Sequence, residues 1–376
     1  MASARRTHVW SGAAEIRYSA QQRSLLRGLK FLERVGPSRW GPPPVVDGRR
    51  LNPSLHAVLQ FGHRAGQTDL VDDVGSMRSR LRRLAGIGMF EVVNVEVTER
   101  WFSGPDQDLA VRIYRAHGAV ENAPAIMYIH GGGWALGDLD THDRSCRLLA
   151  TTTGATVCSV DYRRPPEHPF PAPLEDCLAS WLWLHDHADE LSIDSERVAV
   201  MGDSAGANLA AVLAIECRSN DLPAPIVQGL IYPVVDDVAH YASTESCGEG
   251  FGLDLDTMHW MAGMYVPDEA DHESPRVFPI KSDDLSGVAP ALVVTAGFDP
   301  LRDQGFAYTS ALRSAGVTVV DRCFDDMVHG FFGAGLVPSC GAAATEVCNA
   351  MGRLMDAVTQ ESMAVPAASA ARAGIA

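Results

Sequence analysis

The stretch RVAVMGDSAGANLAAVLAIECR, residues 197–218, decides the fold of this chain. Residues 197–201 form a short apolar run with β-branched valines, which predicts a buried strand. Residues 205–218 have a helical pattern. Between them, GDSAG has the form G-x-S-x-G, a sharp strand-to-helix turn that holds a serine with its hydroxyl exposed.

The serine of this turn, Ser204, is the candidate nucleophile. A Cβ at Gly202 or Gly206 would crowd the point where strand and helix nearly touch, which explains the two glycines. The helix start also places free N–H groups and the positive end of the helix dipole beside the hydroxyl. A chance match in a purely structural turn is the alternative, and the flanking strand and helix argue against it.

A glycine run follows the apolar segment 125–129, in the sequence His130-Gly131-Gly132-Gly133-Trp134. Acyl transfer passes through a tetrahedral intermediate whose negative oxygen needs fixed donors, and glycine lets backbone N–H groups approach it closely. The expected donors are the N–H groups of Gly132, Gly133 and Ala205, with Gly131 as a secondary candidate. A simple flexible turn is the alternative interpretation.

Two more candidates follow strands predicted late in the chain. Asp299 comes after the strand at 291–296, at the sheet edge where ligands bind in open α/β folds. His329 comes after the strand at 317–320. In the chain order Ser204, Asp299, His329, the histidine would take the serine proton and the aspartate would orient the histidine. Alternatives to Asp299 as the orienting acid are Asp303, Asp325 and Asp326.

Strand and helix patterns alternate from about residue 92 onward. Half-buried strands are predicted at 93–98 and 109–114. Continuous apolar runs that predict buried strands lie at 125–129, 155–160, 197–201, 227–231, 291–296 and 317–320. Helical patterns lie at 174–191, 205–218 and 304–314. The alternation predicts an α/β fold, with a mostly parallel eight-stranded sheet and helices on both faces.

The flanking parts of the chain differ from this core. A Pro- and Gly-rich loop is predicted at 36–50, and Asn52 is a predicted helix N-cap. Residues 236–284 are long, polar and mixed, which is typical of a lid or inserted subdomain. The Ala-rich end of the chain is expected to be loosely ordered. The predicted N-terminal helices are 24–35, 52–65 and 71–84.

These motifs together resemble the hormone-sensitive-lipase-like esterases, the bacterial family IV of the α/β-hydrolases. The segments that carry the resemblance are 130–134, 161–163 with 166–170, 202–206, 297–302 and 329–331. The likeness spans roughly residues 92–360. It implies an α/β-hydrolase fold with an α-helical cap, carboxylesterase or lipase activity on a small-molecule ester, no cofactor and no metal.

The resemblance also implies a division of the chain. The expected parts are N-terminal cap helices at 1–90, a catalytic core at 91–235 and 285–361, a cap insertion at 236–284 and a disordered tail at 362–376. Side chains expected to support the loops of the site are His130, Trp134, Asp161, Tyr162, Arg163 and Asp203. One departure is Arg164, a charge where the family usually has a small apolar residue, so the local loop shape is expected to differ.

Charge and cysteine content restrict partners and compartment. The formal net charge of −16 repels phosphate backbones and disfavours nucleic acid as a partner. The eight cysteines form no C-x-x-C pair, so buried free thiols in a reducing compartment are expected. With no secretory signal and no membrane span in the sequence, a cytoplasmic protein without stable membrane insertion is expected. Peripheral membrane contact and a homo-oligomer stay open, and the basic segment 78–83 is interpreted as a solvated helix face.

The leading functional hypothesis is a serine ester hydrolase that forms an acyl-serine on short- to medium-chain acyl esters. A lipase acting on longer-chain lipid esters at an interface is the alternative within the same chemistry. A non-catalytic ligand-binding module on the same scaffold is the alternative from another class. Apolar residues of the insertion that suit an acyl pocket are Met258, Trp260, Met261, Met264 and Tyr265.

Overall fold

The computed structural model describes residues 16–17, 19–64, 73–88, 91–92, 94–237 and 241–373 of the 376-residue chain. The N-terminal elements are β1 (Ile16–Arg17), α1 (Ala20–Trp40), β2 (Val45–Val46), β3 (Arg49–Arg50), α2 (Pro53–Arg64), α3 (Val74–Gly88) and β4 (Glu91–Val92). The three predicted helices are confirmed here, apart from residues 65 and 71–72, which lie outside the described residues. Asn52 caps α2 as predicted, since its side-chain oxygen accepts the N–H of Ser54 at 3.1 Å.

The prediction of a loop over 36–50 is wrong in its first part. Helix α1 continues to Trp40 and stops at Gly41, whose φ of 82° suits glycine. The remainder holds the antiparallel hairpin β2–β3. Local propensity against helix is a weak signal, and here α1 packs along α2.

The core is an eight-stranded sheet with the order β12-β11-β10-β9-β7-β8-β6-β5. Its strands are β5 (Val95–Ser103), β6 (Asp108–Ala116), β7 (Ala123–Ile129), β8 (Thr156–Asp161), β9 (Ile193–Asp203), β10 (Gln228–Ile231), β11 (Ala291–Phe298) and β12 (Val319–Val328). Strand β6 runs antiparallel to β5 and β8, and the other neighbours are parallel. The predicted mostly parallel α/β sheet is therefore confirmed.

Both faces of the sheet are buried along central strands such as β7, β10 and β11, as their continuous apolar sequences require. Successive side chains of β7 show this, because Met127 packs into the core on one face and Tyr128 into the core on the other. Helices covering the sheet are α4 (Leu139–Thr153), α5 (Ala172–Asp186), α6 (Ala205–Ser219), α9 (Arg302–Ser314) and α10 (Pro338–Ala373). The sequence pattern did not predict α4, whose first turns are polar.

The last helix also changes the expected end of the core. Residues 362–373, assigned from sequence to a loosely ordered tail, have helical backbone as the continuation of α10. Their alanine-rich composition accounts for this, because alanine has the highest helix propensity. Residues 374–376 lie outside the described residues.

The insertion 236–284 contains α7 (Ala242–Cys247), α8 (Leu255–Tyr265) and two short 3₁₀ turns; its residues 238–240 are not described. Helix α8 meets the N-terminal helix α3 above the loop that follows β7. A small apolar cluster joins them, formed by Ala135, Leu136 and Met261 with Val74, Met77, Leu81, Trp260 and Met264. In the ranges given above, no helix is long and apolar enough to cross a membrane.

Candidate active site

The three residues predicted as a triad meet at the carboxyl edge of the sheet. Ser204 follows β9, Asp299 follows β11 and His329 follows β12. His329 Nε2 lies 2.9 Å from Ser204 Oγ, and His329 Nδ1 lies 2.8 Å from Asp299 Oδ2. A continuous hydrogen-bonded relay therefore runs from the serine hydroxyl to a fully buried carboxylate.

The other aspartates considered for this place are engaged elsewhere. Asp303 Oδ2 accepts the N–H of Ser243 at 2.9 Å. Asp325 forms an ion pair with Arg49, and Asp326 accepts from Asn52. By contrast, Asp299 Oδ1 accepts the N–H of Leu301 at 2.8 Å, so its second oxygen is fixed toward the histidine.

The backbone around Ser204 has the strained form that the motif predicts. Its φ is 55° and its ψ is −122°, an unfavourable region for a residue with a side chain. The Ser204 N–H is held by the carbonyl of Ile231 at 2.8 Å. A Cβ added at Gly202 would overlap the carbonyl of Gly206, and one added at Gly206 would overlap the carbonyl of Ile129. Only glycine fits at both positions.

The loop that follows β7, residues 130–138, is named the oxyanion loop here. Gly132 and Gly133 have φ of 111° and 57°, which L side chains rarely adopt. The N–H of Ala135 donates to the carbonyls of Gly132 at 3.2 Å and Gly133 at 2.7 Å, closing a tight turn. Ala205 is the first residue of α6, where backbone N–H groups have no partner within the helix.

Gly131 does not suit the secondary donor role. Its N–H donates to Asp203 Oδ1 at 3.1 Å and is therefore already used. The same carboxylate accepts from the hydroxyl of Tyr128 at 2.7 Å and lies 3.3 Å from His142 Nε2. Burial raises the pKa of Asp203, but His142 and these donors outweigh it and hold that pKa below its usual value.

The buried side chain of His130 packs against the segment that follows β8. Its ring stacks on Tyr162 with centroids 4.2 Å apart, and Tyr162 donates its hydroxyl to the His130 carbonyl at 2.9 Å. Burial is the main reason why the pKa of His130 falls to about 3, so the ring is neutral near pH 7. Both residues therefore lie beside the glycine run, and their role in supporting the loop stays a prediction.

Trp134 links the oxyanion loop to the insertion. Its indole stacks on Tyr265 of α8, with centroids 4.3 Å apart and an interplanar angle of 8°. Its Nε1–H donates to Asn208 at 3.3 Å, and the Asn208 amide donates to the carbonyls of Val234 and Val277. The loop is therefore tied to both the core helix α6 and the covering segment.

The segment after β8 supports the site from the side. Arg163 forms a buried bidentate pair with Asp176, with Nη2 to Oδ1 at 2.8 Å. Arg164, the departure from the family pattern, donates to the carbonyl of Gly137 in the oxyanion loop and lies 3.5 Å from Asp161. Its charge therefore serves a contact with the loop instead of facing solvent.

Two supporting residues were not predicted from sequence. His142 has only one local signal, its place four residues after Asp138, the N-cap of α4. Tyr232 follows β10 with a φ of 37°, and its ring lies 4.5 Å from that of His329. Nothing in the sequence near either residue shows that it reaches the triad or the strand-to-helix turn at Ser204 (the nucleophile elbow), because strand order decides those contacts.

Known proteins agree with this architecture. A family model described as alpha/beta hydrolase fold matches residues 126–333. The carboxylic ester hydrolase LipN of Mycobacterium tuberculosis (strain ATCC 25618 / H37Rv) is 39% identical over 313 residues, covering 81% of this chain and 83% of LipN. The ethyl acetate hydrolase of Pseudomonas putida is 40% identical over 233 residues, covering 61% of this chain and 73% of that protein.

Solved structures give the same result. The hyperthermophilic esterase from the archaeon Pyrobaculum calidifontis superimposes with a TM-score of 0.76 at 35% identity, covering 82% of this chain and 99% of that one. The thermostable esterase from Pseudomonas putida ECU1011 gives a TM-score of 0.77 at 31% identity, covering 81% and 98%. The chain belongs to the α/β-hydrolases, in their hormone-sensitive-lipase-like carboxylesterase family.

Proposed function

We propose that this protein is a serine carboxylic ester hydrolase that works through an acyl-serine intermediate. The observation that carries the proposal is the relay of 2.9 and 2.8 Å from Ser204 through His329 to Asp299. Ser204 attacks the ester carbonyl, and His329 takes its proton and then gives it to the leaving alkoxide. Water then attacks the acyl-serine, with His329 as the base. Asp299 orients the imidazole and stabilises its charged form.

The negative oxygen of the tetrahedral intermediate is bound by the backbone N–H groups of Gly132, Gly133 and Ala205. Two observations support this assignment: both glycines have positive φ values, and Ala205 is the first residue of α6. Removing one such donor typically costs about 10²–10³ in rate. The hydrogen bond of Gly131 to Asp203 leaves that N–H out of the set.

The substrates are small-molecule esters, and the acyl chain is short to medium. Ser204 is only 8% exposed, and a Cβ on Gly133 would overlap the sulfur of Met261 in α8. The space beside Gly133, a proposed oxyanion donor, is therefore narrow. The Pseudomonas putida relative is an ethyl acetate hydrolase, which also favours a short acyl chain.

The covering segment is a cap formed by the described residues of the intervals 1–90 and 236–284. The apolar cluster between α3 and α8 supports this division, because it joins the two intervals directly above Leu136. All eight cysteines are free and all but Cys323 are buried, which supports a reducing, cytoplasmic location.

The test is hydrolysis of p-nitrophenyl esters of increasing chain length by the protein and by Ser204→Ala. We expect highest kcat/KM on the shorter chains, loss of turnover in the variant, and labelling of the protein but not the variant by a fluorophosphonate. Ser310→Ala, an exposed serine on α9, is the matched control and keeps both properties. Unchanged turnover in Ser204→Ala would overturn the mechanism, and activity that rises only when long-chain substrate forms an interface would favour the lipase alternative.

A further inference from the structure

Helix α3 lies directly over the oxyanion loop. Its Met77 and Leu81 pack in the cluster that contains Leu136 of the loop and Met261 of α8. On the same helix, Arg78 and Arg82 are four residues apart and so share one face. The predicted solvated face is correct in part, since Arg82 and Arg83 are exposed, but the guanidinium groups of Arg78 and Arg82 also bind the loop.

Arg78 binds two backbone carbonyls and one carboxylate through a single side chain. Its Nε donates to the carbonyl of Ala135 in the oxyanion loop at 2.7 Å. Nη2 donates to the carbonyl of Pro165 at 2.8 Å. Both terminal nitrogens bind the Glu167 carboxylate, at 2.7 and 2.8 Å, which is the bidentate geometry that only arginine provides.

Arg82 holds the far end of the same loop. Its Nε donates to Asp138 Oδ2, while Asp138 Oδ1 accepts the N–H of Thr141 at 2.8 Å and caps α4. The Asp138 side chain is only 6% exposed, so its charge depends on these two partners. The two arginines therefore attach α3 to both the middle and the end of the loop.

The attachment point of Arg78 bears on the donors of the oxyanion. The Ala135 N–H closes the turn by bonding the carbonyls of Gly132 and Gly133. The Ala135 carbonyl, on the other side of the same residue, is the atom that Arg78 holds. Below the loop, Asp203 fixes Gly131. The two proposed glycine donors thus lie between one anchor in the core and one anchor on the N-terminal helix.

We propose that Arg78, assisted by Arg82, is a positioning residue that aligns the N–H groups of Gly132 and Gly133 through the Ala135 turn. The inference rests on the proposed ester hydrolase function. An arginine that only fastened the helix would change stability without distinguishing ground state from transition state. An arginine that aligns the donors affects kcat, because the donors act on charge that develops in the transition state.

The test compares Arg78→Ala and Arg78→Lys with Arg83→Ala, an exposed arginine of the same helix. For each we measure kcat, KM, the melting temperature and inhibition by a trifluoromethyl ketone, which forms a tetrahedral adduct. We expect kcat to fall about 10-fold or more in both Arg78 variants, with weaker ketone inhibition in proportion and KM changed less than about 3-fold, since a donor displaced costs part of a donor lost. Lysine keeps the positive charge but cannot form the bidentate hydrogen bonds of the guanidinium group. Arg82→Ala shows a smaller loss of the same kind.

Guanidinium added at low concentration should restore part of kcat in Arg78→Ala and none in Arg83→Ala. Equal kcat and ketone affinity in the parent and in Arg78→Lys would overturn the positioning role while leaving the ester hydrolase proposal intact. So would a fall in kcat that Arg83→Ala reproduces. Should Arg78→Ala not fold, Arg78→Lys gives the same two readings. An inactive parent protein would instead contradict the function itself.

Discussion

The two sides of the catalytic site are built differently. On the sheet side, the triad residues directly follow the parallel strands β9, β11 and β12, so their positions follow from the backbone. On the cap side, Arg78 and Met261 come from helices far away in the chain and reach the oxyanion loop through side chains alone. The proposed catalytic groups are therefore positioned by strand ends, whereas the proposed alignment of the oxyanion donors and the space beside them depend on packing between distant segments.

The largest effect is expected on the sheet side. Asp299→Asn should lower kcat by about 10⁴-fold, because the amide favours the wrong histidine tautomer, with little change in KM. Asp303→Asn is the matched control, since Asp303 bonds Ser243 and Arg302 instead of His329. The measurement is steady-state kinetics on p-nitrophenyl acetate. An equal loss in the two variants would contradict the assignment of Asp299.

An intermediate loss of kcat is expected from substitutions in the oxyanion loop, and it should distinguish Gly132, which faces backbone, from Gly133, which faces the cap. Gly132→Ala and Gly133→Ala should each lower kcat about 10²-fold, because both glycines have positive φ and are proposed donors. The added methyl at Gly132 would meet the backbone nitrogen of Gly137 at 2.5 Å, whereas at Gly133 it would meet the flexible Met261 side chain. Adding Met261→Ala should therefore recover part of kcat in Gly133→Ala and none in Gly132→Ala.

Recovery in both double variants, or in neither, would show that the cap side chain does not set the space above Gly133. The single variant Met261→Ala serves as the control. It should keep kcat on the acetate ester and raise kcat/KM for longer acyl chains, because the side chain removed is apolar and 9% exposed.

The smallest effect concerns the support beneath the loop and depends on pH. Burial disfavours the charged form of His142, but Asp203 at 3.3 Å outweighs it, with help from Asp138, so the pKa of His142 is raised. His130 also faces this ring and stays neutral. The stabilisation by protonated His142 is complete below the usual histidine pKa of about 6.5 and is lost as the pH rises through the raised native pKa.

His142→Gln should therefore lower the free energy of unfolding most on the acid side of this window and least on its alkaline side. Urea unfolding at several pH values checks the trend. The exposed His259→Gln on α8 is the control and should match the parent at each pH. A deficit in His142→Gln that is the same at every pH would show that the ion pair with Asp203 adds nothing.

Particular elements show how far the sequence alone reaches. Six of the eight strands were predicted from continuous apolar runs, because a strand buried on both faces shows its pattern without reference to a partner. The other two, β5 and β6, were predicted from the alternation of apolar and polar residues. The end of one helix was predicted wrongly, since α1 continues past Gly36 to Trp40. One further helix, α4, was not predicted at all. In both cases packing against neighbouring elements adds stability that local propensity does not contain.

The basic segment of α3 is the clearest case of a role that local pattern misses. Arginines on an acidic protein predict a solvated face, and Arg82 is exposed, yet Arg78 and Arg82 also bind the oxyanion loop 57 and 56 residues further along the chain. Their partners are a carbonyl and a capping carboxylate, groups that carry no sequence signature of pairing. Only the fold brings them within hydrogen-bond distance.

The sequence by itself determined the reaction chemistry. The elbow at Ser204 encodes its own backbone shape through two glycines, and the order of Asp299 and His329 after later strands places them at the same sheet edge. Tertiary structure alone decided that Gly131 bonds Asp203, that His142 reaches the elbow, and that α3 and α8 close over the loop. The physical reason is that turn geometry depends on neighbouring residues, whereas packing and ion pairing depend on which distant segments meet.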